Sequence, residues 1–305
     1  MSDRPLAVIS AYRPSSSMLP AVAALIDDCD VLIVDDGSGD AYAEVFAEAE
    51  RAGAEVVALE TNSGIAHALN VGIRRAAAQD RPGVVTFDQD SSAPAGLVAS
   101  LRAVAERGDG EHPGIAVPEF FAEVRQTSAR GVPYRARRVI QSGMYIPTEV
   151  VRAVGALDES LFIDLVDTEY ELRCLSAGVE IWAVPGARLG HALGRTVRLH
   201  PLAPLPWPRV TTMVSTPFRY YYRVRNRIVL SRRYLRRYPG RMLREAVVEI
   251  VYIAVVVLSA RPRRTMWALI RSGIADAVAG RVGIIPPALA AASSAIRWSE
   301  SRNDR

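Results

Sequence analysis

The sequence predicts an α/β protein in which a mostly parallel sheet is wrapped by helices. Three observations carry this. Short, unbroken apolar runs rich in β-branched residues recur at residues 6–10, 31–34, 56–59 and 84–87, the pattern of strands buried on both faces. The stretches between them have helical spacing. Each run then stops abruptly at polar or acidic residues, where a parallel sheet carries its ligand.

Residues 6–10 read as the first strand, ending at Ala11-Tyr12-Arg13-Pro14, with a helix over 18–26. Residues 31–34 form the second strand, stopped by Asp35-Asp36-Gly37-Ser38. A helix over 41–52 ends at Gly53, and residues 56–59 make a third strand. The best-patterned helix spans 63–79: Ile65, Leu69, Gly72, Ile73 and Ala76 share one face, and His67, Asn70 and Arg74 lie opposite. Asn62-Ser63-Gly64 precedes it.

The fourth run, Val84-Val85-Thr86-Phe87, meets Asp88-Gln89-Asp90-Ser91. In extended chain, residues two apart point to the same side, so Asp88 and Asp90 are expected to face one space. Like charges held that close need donors or a cation. Carboxylate oxygen suits a hard divalent ion such as Mg²⁺ or Mn²⁺, completed by water and phosphate. A Gly-x-Gly-x-x-Gly fingerprint after the first strand and a Walker loop are both missing, which argues against a dinucleotide dehydrogenase or a P-loop enzyme.

Residues 139–146 read as a strand interrupted at Gly143, where backbone could approach a ligand. A helix is expected over 167–177, stopped by Gly178, with Asp164 and Asp167 at its entrance. A strand over 180–184 follows, and the stretch 188–194 brings back His191, a further possible metal ligand.

Cys29 and Cys174 lack metal-ligand spacing and read as reduced thiols in a cytosolic setting. Residues 1–5 are polar, and the apolar run 6–10 is too short for a secretory signal. All 37 basic Lys or Arg positions are Arg. Between residues 181 and 244 there is no Asp or Glu, while Arg and Tyr recur through 218–244. Such a strip fits nucleic acid, an anionic membrane surface, or a helix buried beneath an Arg-rich face. No nucleic-acid motif accompanies it, so none is expected as a partner. The apolar run 246–260, broken by Glu249, is too short to span a bilayer and is expected to lie in the interface or to pack on the catalytic domain. Residues 267–274 and 282–296 read as further helical segments, and 299–305 as a frayed end.

The stretches Ile33-Val34-Asp35-Asp36-Gly37-Ser38, Asn62-Ser63-Gly64 to Gly72, Thr86-Phe87-Asp88-Gln89-Asp90-Ser91, Gly155-x-x-Asp158-Glu159-x-x-Phe162-Ile163-Asp164-x-x-Asp167-x-Glu169-x-x-x-Arg173 and His191-x-x-Gly194 resemble the family 2 inverting glycosyltransferases of the GT-A fold. Within that family they are similar to the bacterial dTDP-L-rhamnosyltransferases. The resemblance covers about residues 5–195, with a weaker echo at Tyr221-Tyr222-Arg223-Val224-Arg225-Asn226.

The resemblance implies a GT-A catalytic domain over 1–200 and a basic helical extension over 201–305. It implies that Asp35, Asp36, Ala11, Tyr12, Asn62, Gly64, Asn70, Asp88, Gln89 and Gly143 line the nucleotide-sugar site. Asp88, Asp90 and His191 would hold Mg²⁺ or Mn²⁺, and Asp167 would be the catalytic base. The family has an acid pair there, whereas Val166 precedes Asp167 here, so Asp164 or Glu169 could share the task. The implied reaction moves L-rhamnose from dTDP-L-rhamnose to a polyprenyl-linked glycan, by a protein peripheral on the cytoplasmic face of the plasma membrane. A UDP-galactofuranosyl or other hexosyl donor, or nucleotide-sugar binding without catalysis, are the alternatives.

Overall fold

The computed structural model describes residues 3–107, 113–126, 134–136, 139–191, 196–199 and 210–298. Gly194 and the end expected to fray lie outside them, as does part of the section between residues 118 and 145.

Four strands, β1 (Leu6–Ala11), β2 (Asp30–Asp35), β3 (Glu55–Ala58) and β4 (Gly83–Asp88), pair in parallel in the order β3-β2-β1-β4. The helices between them are α1 (Leu19–Ile26), α2 (Ala43–Arg51) and α3 (Ile65–Ala78). The sequence places all seven to within about two residues. Alternation divides the apolar runs between the sheet's faces. Ala7, Ile9, Val31, Ile33, Val85 and Phe87 share one buried cluster with Met18, Val22, Leu25 and Phe46 from the α1–α2 side. On the other face Gly72 lets α3 settle onto β1. A Cβ there would stand 2.2 Å from Val8 Cγ2.

Beyond β4 the chain continues through β5 (Ser91–Ser92), α4 (Leu97–Arg107), β6 (Ile115–Phe121), β7 (Val124–Arg125), β8 (Tyr134–Arg135), β9 (Met144–Pro147), α5 (Thr148–Val154), α6 (Val166–Ser176) and β10 (Ile181–His191). The sheet extends as β4-β9-β6-β10-β5, with β9 antiparallel to β4 and β6. Two expectations change here. The strand expected over 139–146 forms only from Met144, because the preceding residues leave the ladder to brace the end of β4. The strand expected over 180–184 runs on to His191 through an irregularity between Val184 and Arg188. That extension pairs His191 with Ser91 and Gly190 with Ser92.

The chain divides into two compact units, residues 1–162 with 166–192, and residues 163–165 with 193–305. The second unit holds the hairpin β11 (Thr196–Leu199) and β12 (Val210–Met213), the helices α7 (Arg219–Tyr234), α8 (Pro239–Ser259), α9 (Arg263–Ala279) and α10 (Pro287–Ser293), and the pair β13 (Ala260–Arg261) and β14 (Arg297–Trp298). The helix expected over 282–296 shortens to α10, because Gly283 and Pro286 hold the chain before it out of helix.

The Arg/Tyr strip forms α7 and the start of α8, with some of its tyrosines buried and several of its arginines exposed. Tyr220, Tyr221 and Tyr222 are consecutive on α7 and all buried, so they face different directions around it. Their hydroxyls meet Ser215 N, Asp276 Oδ2 and Ile285 N at 3.1, 2.6 and 2.8 Å. These three tyrosines are core. Arg223 forks onto Glu249 at 2.9 Å on both oxygens, and Arg227 and Arg241 meet Glu245. Glu245 and Glu249 thus turn α8's acids inward. Its aliphatic residues Leu243, Val247, Val248, Ile250 and Val251 face outward, each more than half exposed. Among the described residues, no helix is long and apolar enough to cross a membrane.

Candidate active site

The polar ends of β1, β2 and β4 are tied to one another by hydrogen bonds. Asp36 N donates to Ala11 O at 2.8 Å, so the β1 carbonyl fixes the turn after β2. The Asp36 carboxylate, 3% exposed, accepts from Ser63 N at 2.7 Å and Gly64 N at 2.9 Å. Burial raises its pKa, and those two amides only partly offset that. Asp35 accepts from Ser38 N at 2.9 Å, and Ser38 Oγ accepts from Arg13 N at 2.7 Å. Tyr12, at the mouth of β1, is 38% exposed. Its N–H donates to Gln89 Oε1 at 2.7 Å, bridging the β1 and β4 ends.

Asp88, Asp90 and His191 each offer a ligand atom, and these atoms all lie within 4.8 Å of one another. The route to that convergence differs from the expected one. β4 ends at Asp88, and Gln89 and Asp90 form a turn. The two acids therefore meet by a bend and not by strand alternation. The β5–β10 pairing then delivers the imidazole: Nδ1 is 3.3 Å from Asp90 Oδ1 and 3.2 Å from Ser91 Oγ. The ring packs on Phe121, centroids 4.5 Å apart. Burial lowers the His191 pKa against the opposing pull of Asp90, which favours the neutral imidazole that a metal requires. Two carboxylates and a neutral imidazole fit a divalent cation of the Mg²⁺/Mn²⁺ kind.

Residues 141–143 support this cluster. Gln141 Nε2 donates to Asp88 Oδ1. Ser142 Oγ accepts from Asp88 N at 3.0 Å and lies 2.7 Å from Ser91 Oγ. Thr86 Oγ1 donates to Gln141 O at 2.5 Å, and Gly143 N to Thr86 O at 2.7 Å. A Cβ on Gly143 would meet Leu189 and Pro118 at 3.1–3.2 Å. The close approach this glycine permits is thus to neighbouring side chains. Gln141 Oε1 and Asn62 Oδ1 are buried acceptors without a partner among the described residues. Unmet buried acceptors are costly. Sequence reasoning passed over Gln141, Ser142 and Ser91 as site residues. The available signal was the break in the 139–146 run.

Asn70 goes elsewhere than expected. It is 1% exposed, and its amide brackets Leu157, donating to its O and accepting from its N, both at 2.9 Å. With His67 at 2.7 Å and Arg74 at 2.6 Å it also grips Glu159, at 2.8 Å. Burial alone would raise Glu159, but these donors outweigh it and bring its pKa down to about 2. The polar face of α3 therefore anchors the 155–161 segment. Gly64 abuts Phe162: a Cβ there would be 2.5 Å from Phe162 O, and φ is +92°, so only glycine fits.

Phe162, Asp164 and Leu165 all have φ near +65°. Non-glycine residues in this region cost about 1–3 kcal/mol each and cluster at functional sites. The run leads into α6, whose second residue is Asp167; Thr168 N donates to Asp167 Oδ1 at 2.6 Å. The two neighbouring acids are held by arginines. Asp164 takes Arg219 on both oxygens at 2.8 and 3.0 Å. Glu169, 1% exposed, takes Arg173 at 2.9 Å. Cys29 and Cys174 are free, buried thiols, each pushed up to about 12 by burial, which makes them poor nucleophiles.

A mostly parallel sheet with an acid–acid–imidazole cluster at its strand ends is what the resemblance to the family 2 glycosyltransferases implies. Comparison with known proteins agrees. The model of the family described as Glycosyl transferase family 2 matches residues 7–146. The dTDP-rhamnosyl transferase RfbF of Shigella flexneri is 30% identical over 254 residues, 76% of this chain and 81% of that protein. The mannosyltransferase PcManGT from Pyrobaculum calidifontis, solved with GDP-Man and Mn²⁺, shares the fold at TM-score 0.51 and 13% identity, covering 96% of this chain and 79% of that one. The structure of S. aureus TarS 1–349 with UDP-GlcNAc matches at TM-score 0.48 and 15% identity, over 74% of this chain and 66% of that one. The chain belongs to glycosyl transferase family 2, and it is a glycosyltransferase with an α/β fold of the GT-A type.

Proposed function

We propose that this protein transfers L-rhamnose from dTDP-L-rhamnose to a polyprenyl-linked glycan in cell-envelope polysaccharide synthesis, with inversion at the anomeric carbon. The observation that carries the reading is the convergence of Asp88, Asp90 and His191 at the strand ends, in a chain 30% identical to a dTDP-rhamnosyl transferase. Asp36, Asp35, Ala11 and Tyr12 bind the nucleoside, with Asn62 and Gln89 beside them. Asp88, Asp90 and His191 hold Mg²⁺ or Mn²⁺. Such a cation supplies a Lewis acid against the charge that develops on the departing diphosphate.

Asp167 takes the proton of the acceptor hydroxyl; its place at the start of α6, directly after the run of positive-φ residues, supports this reading. Gln141 Oε1, an acceptor in need of a donor, bonds a hydroxyl of the donor. The outward aliphatic face of α8, with exposed Arg244, Arg264 and Arg271 in the same unit, supports docking on an anionic membrane surface where a lipid-linked acceptor resides.

Thermal-shift screening against nucleotide sugars, with and without Mn²⁺, tests the donor. Stabilisation by dTDP-L-rhamnose above all others is expected. Preference for a UDP-sugar moves the assignment to a different hexosyl transfer.

A further inference from the structure

We infer that Arg13 is a positioning residue for the donor: its guanidinium, carried on a strained turn, holds one face of the Tyr12 ring and keeps the other face for the donor's nucleobase. The inference rests on the reading of Tyr12 as part of the nucleoside site and adds the residue that holds its ring. Every residue it uses lies in the first of the two compact units.

The strand β1 ends at Ala11, and two residues later Arg13 has a φ of +51°. Side chains other than those of Asn and Asp rarely accept this left-handed backbone. Pro14 follows, and a residue before proline is pushed further towards extended backbone. A conformation of this kind persists only where its surroundings over-determine it, and it clusters at ligand sites. Here the turn after β2 supplies the constraint. Arg13 N donates to Ser38 Oγ at 2.7 Å. Ser38 in turn donates to Asp35 Oδ1 through both its N–H, at 2.9 Å, and its hydroxyl. Asp35 and Ser38 are both buried, so the anchor is rigid.

Glycine would make the same turn without strain. The cost therefore attaches to the arginine side chain, and that side chain lies on Tyr12: its guanidinium carbon is 5.0 Å from the ring centroid. At that distance a cation is attracted to the face of an aromatic ring. The Tyr12 backbone is tied from the other direction, its N–H donating to Gln89 Oε1 at 2.7 Å. A guanidinium covers one face of a ring. Tyr12 is nevertheless exposed, and an exposed aromatic face with a fixed orientation is a platform on which a nucleobase stacks. Asp35 thus reaches the donor's base at one remove, through Ser38, Arg13 and Tyr12.

The test is a double-mutant cycle. Wild type, Arg13→Gly, Tyr12→Ala and the double variant are titrated calorimetrically with dTDP and with UDP in the presence of Mn²⁺, and their melting temperatures are measured. The cycle is read on whichever nucleotide the wild type binds more tightly, so a donor with a different pyrimidine does not decide it. Tyr12→Ala is expected to weaken binding at least about fivefold, as loss of a stacking partner does. Arg13→Gly is expected to weaken it about two- to fivefold, the worth of an exposed cation–π contact, with a melting temperature at or above that of wild type. In the Tyr12→Ala background, Arg13→Gly is expected to cost nothing further, because the arginine acts through the ring. Undiminished affinity in Arg13→Gly, beside a weakened Tyr12→Ala, overturns the positioning role and leaves the nucleoside site standing. An equal loss with and without the Tyr12 ring marks a direct ligand contact and also refutes the inference. So does a melting temperature that falls together with affinity, which makes Arg13 a support of the fold. Tyr12→Ala binding as wild type overturns the reading of Tyr12, and the inference with it.

Discussion

Ser91 and His191 are register partners across the short antiparallel pairing of β5 with β10, and the histidine's Nδ1 stands 3.2 Å from the serine's Oγ. A residue at the end of an eleven-residue strand is thereby delivered to a loop a hundred residues earlier. If the cluster binds a divalent cation, Asp90→Asn or His191→Ala should weaken Mn²⁺ by at least about 100-fold, and Ser91→Ala, which only orients, by about 10–100-fold. Titration calorimetry with Mn²⁺ and donor checks this. His191 is held below its ordinary pKa. Affinity should therefore stay level down to pH 6.5 and fall only as acid protonates the imidazole. Equal affinity in wild type and Asp90→Asn removes the site.

Asp36 is the hinge between two strand ends, accepting Ser63 and Gly64 amides from a buried position. Asp36→Asn keeps the shape but turns an NH₂ group toward one of those N–H donors. One bond is lost and a donor is left unmet, at about 1–3 kcal/mol. Urea unfolding measures that cost, and donor affinity should fall in parallel because the 62–64 turn loses its tether. A variant as stable as wild type would mean that the turn is held otherwise.

Much of this was legible in the order of residues, for a physical reason. β1, β2 and β4 are buried along most of their length, so their sequences are unbroken apolar runs, and β2 and β4 end in acids at the polar carboxyl edge of the sheet; β3, at the sheet's edge, is half-buried to exposed. β6 gave no such signal: Pro118 and Glu119 interrupt it, although Glu119 is neutralised by Arg125 and Gly186 N. α7 was hidden differently. Periodicity marks a helix with one wet side, and α7 buries Tyr220, Tyr221, Tyr222, Arg225 and Asn226, so its polar residues follow partners and not solvent. Of the site, Asp88 and Asp90 could be read, but their convergence depends on a turn and a distant strand pairing that spacing does not encode.

Glu159 gathers His67, Asn70 and Arg74 from α3, which hold its carboxyl at about 2. The folded state thus binds this proton more weakly than the unfolded chain. The stability it contributes is complete above the ordinary value of 4.5 and is lost as pH falls towards 2. Glu159→Gln should be less stable at pH 7 by no more than about 1 kcal/mol, since the side chain is partly exposed and screened. The gap should close between pH 4.5 and 2. Melting curves of both proteins across that range give the answer, and a gap that widens in acid contradicts the assignment.

The outward face of α8 provides the last prediction. Leu243, Val247, Ile250 and Val251 recur at helical spacing and are exposed, while Glu245 and Glu249 point to the arginines of α7. The acids of this stretch face in while aliphatic side chains, with Arg244 among them, face out, an unusual pattern for a helix face that ends at water. If that face lies in a bilayer interface, each aliphatic side chain contributes about 1.5–3 kcal/mol when fully buried. The double change Val247→Glu with Ile250→Glu should then reduce co-sedimentation with phosphatidylglycerol vesicles at least about tenfold. Folding stability should stay within about 0.5 kcal/mol, as expected for exposed positions. Wild-type binding should weaken in high salt and on neutral phosphatidylcholine, because the neighbouring arginines add attraction that salt screens. Undiminished pelleting of the double variant would exclude this face from lipid contact. A dimer in sedimentation velocity that the same changes dissociate would assign the face to a second copy of the chain.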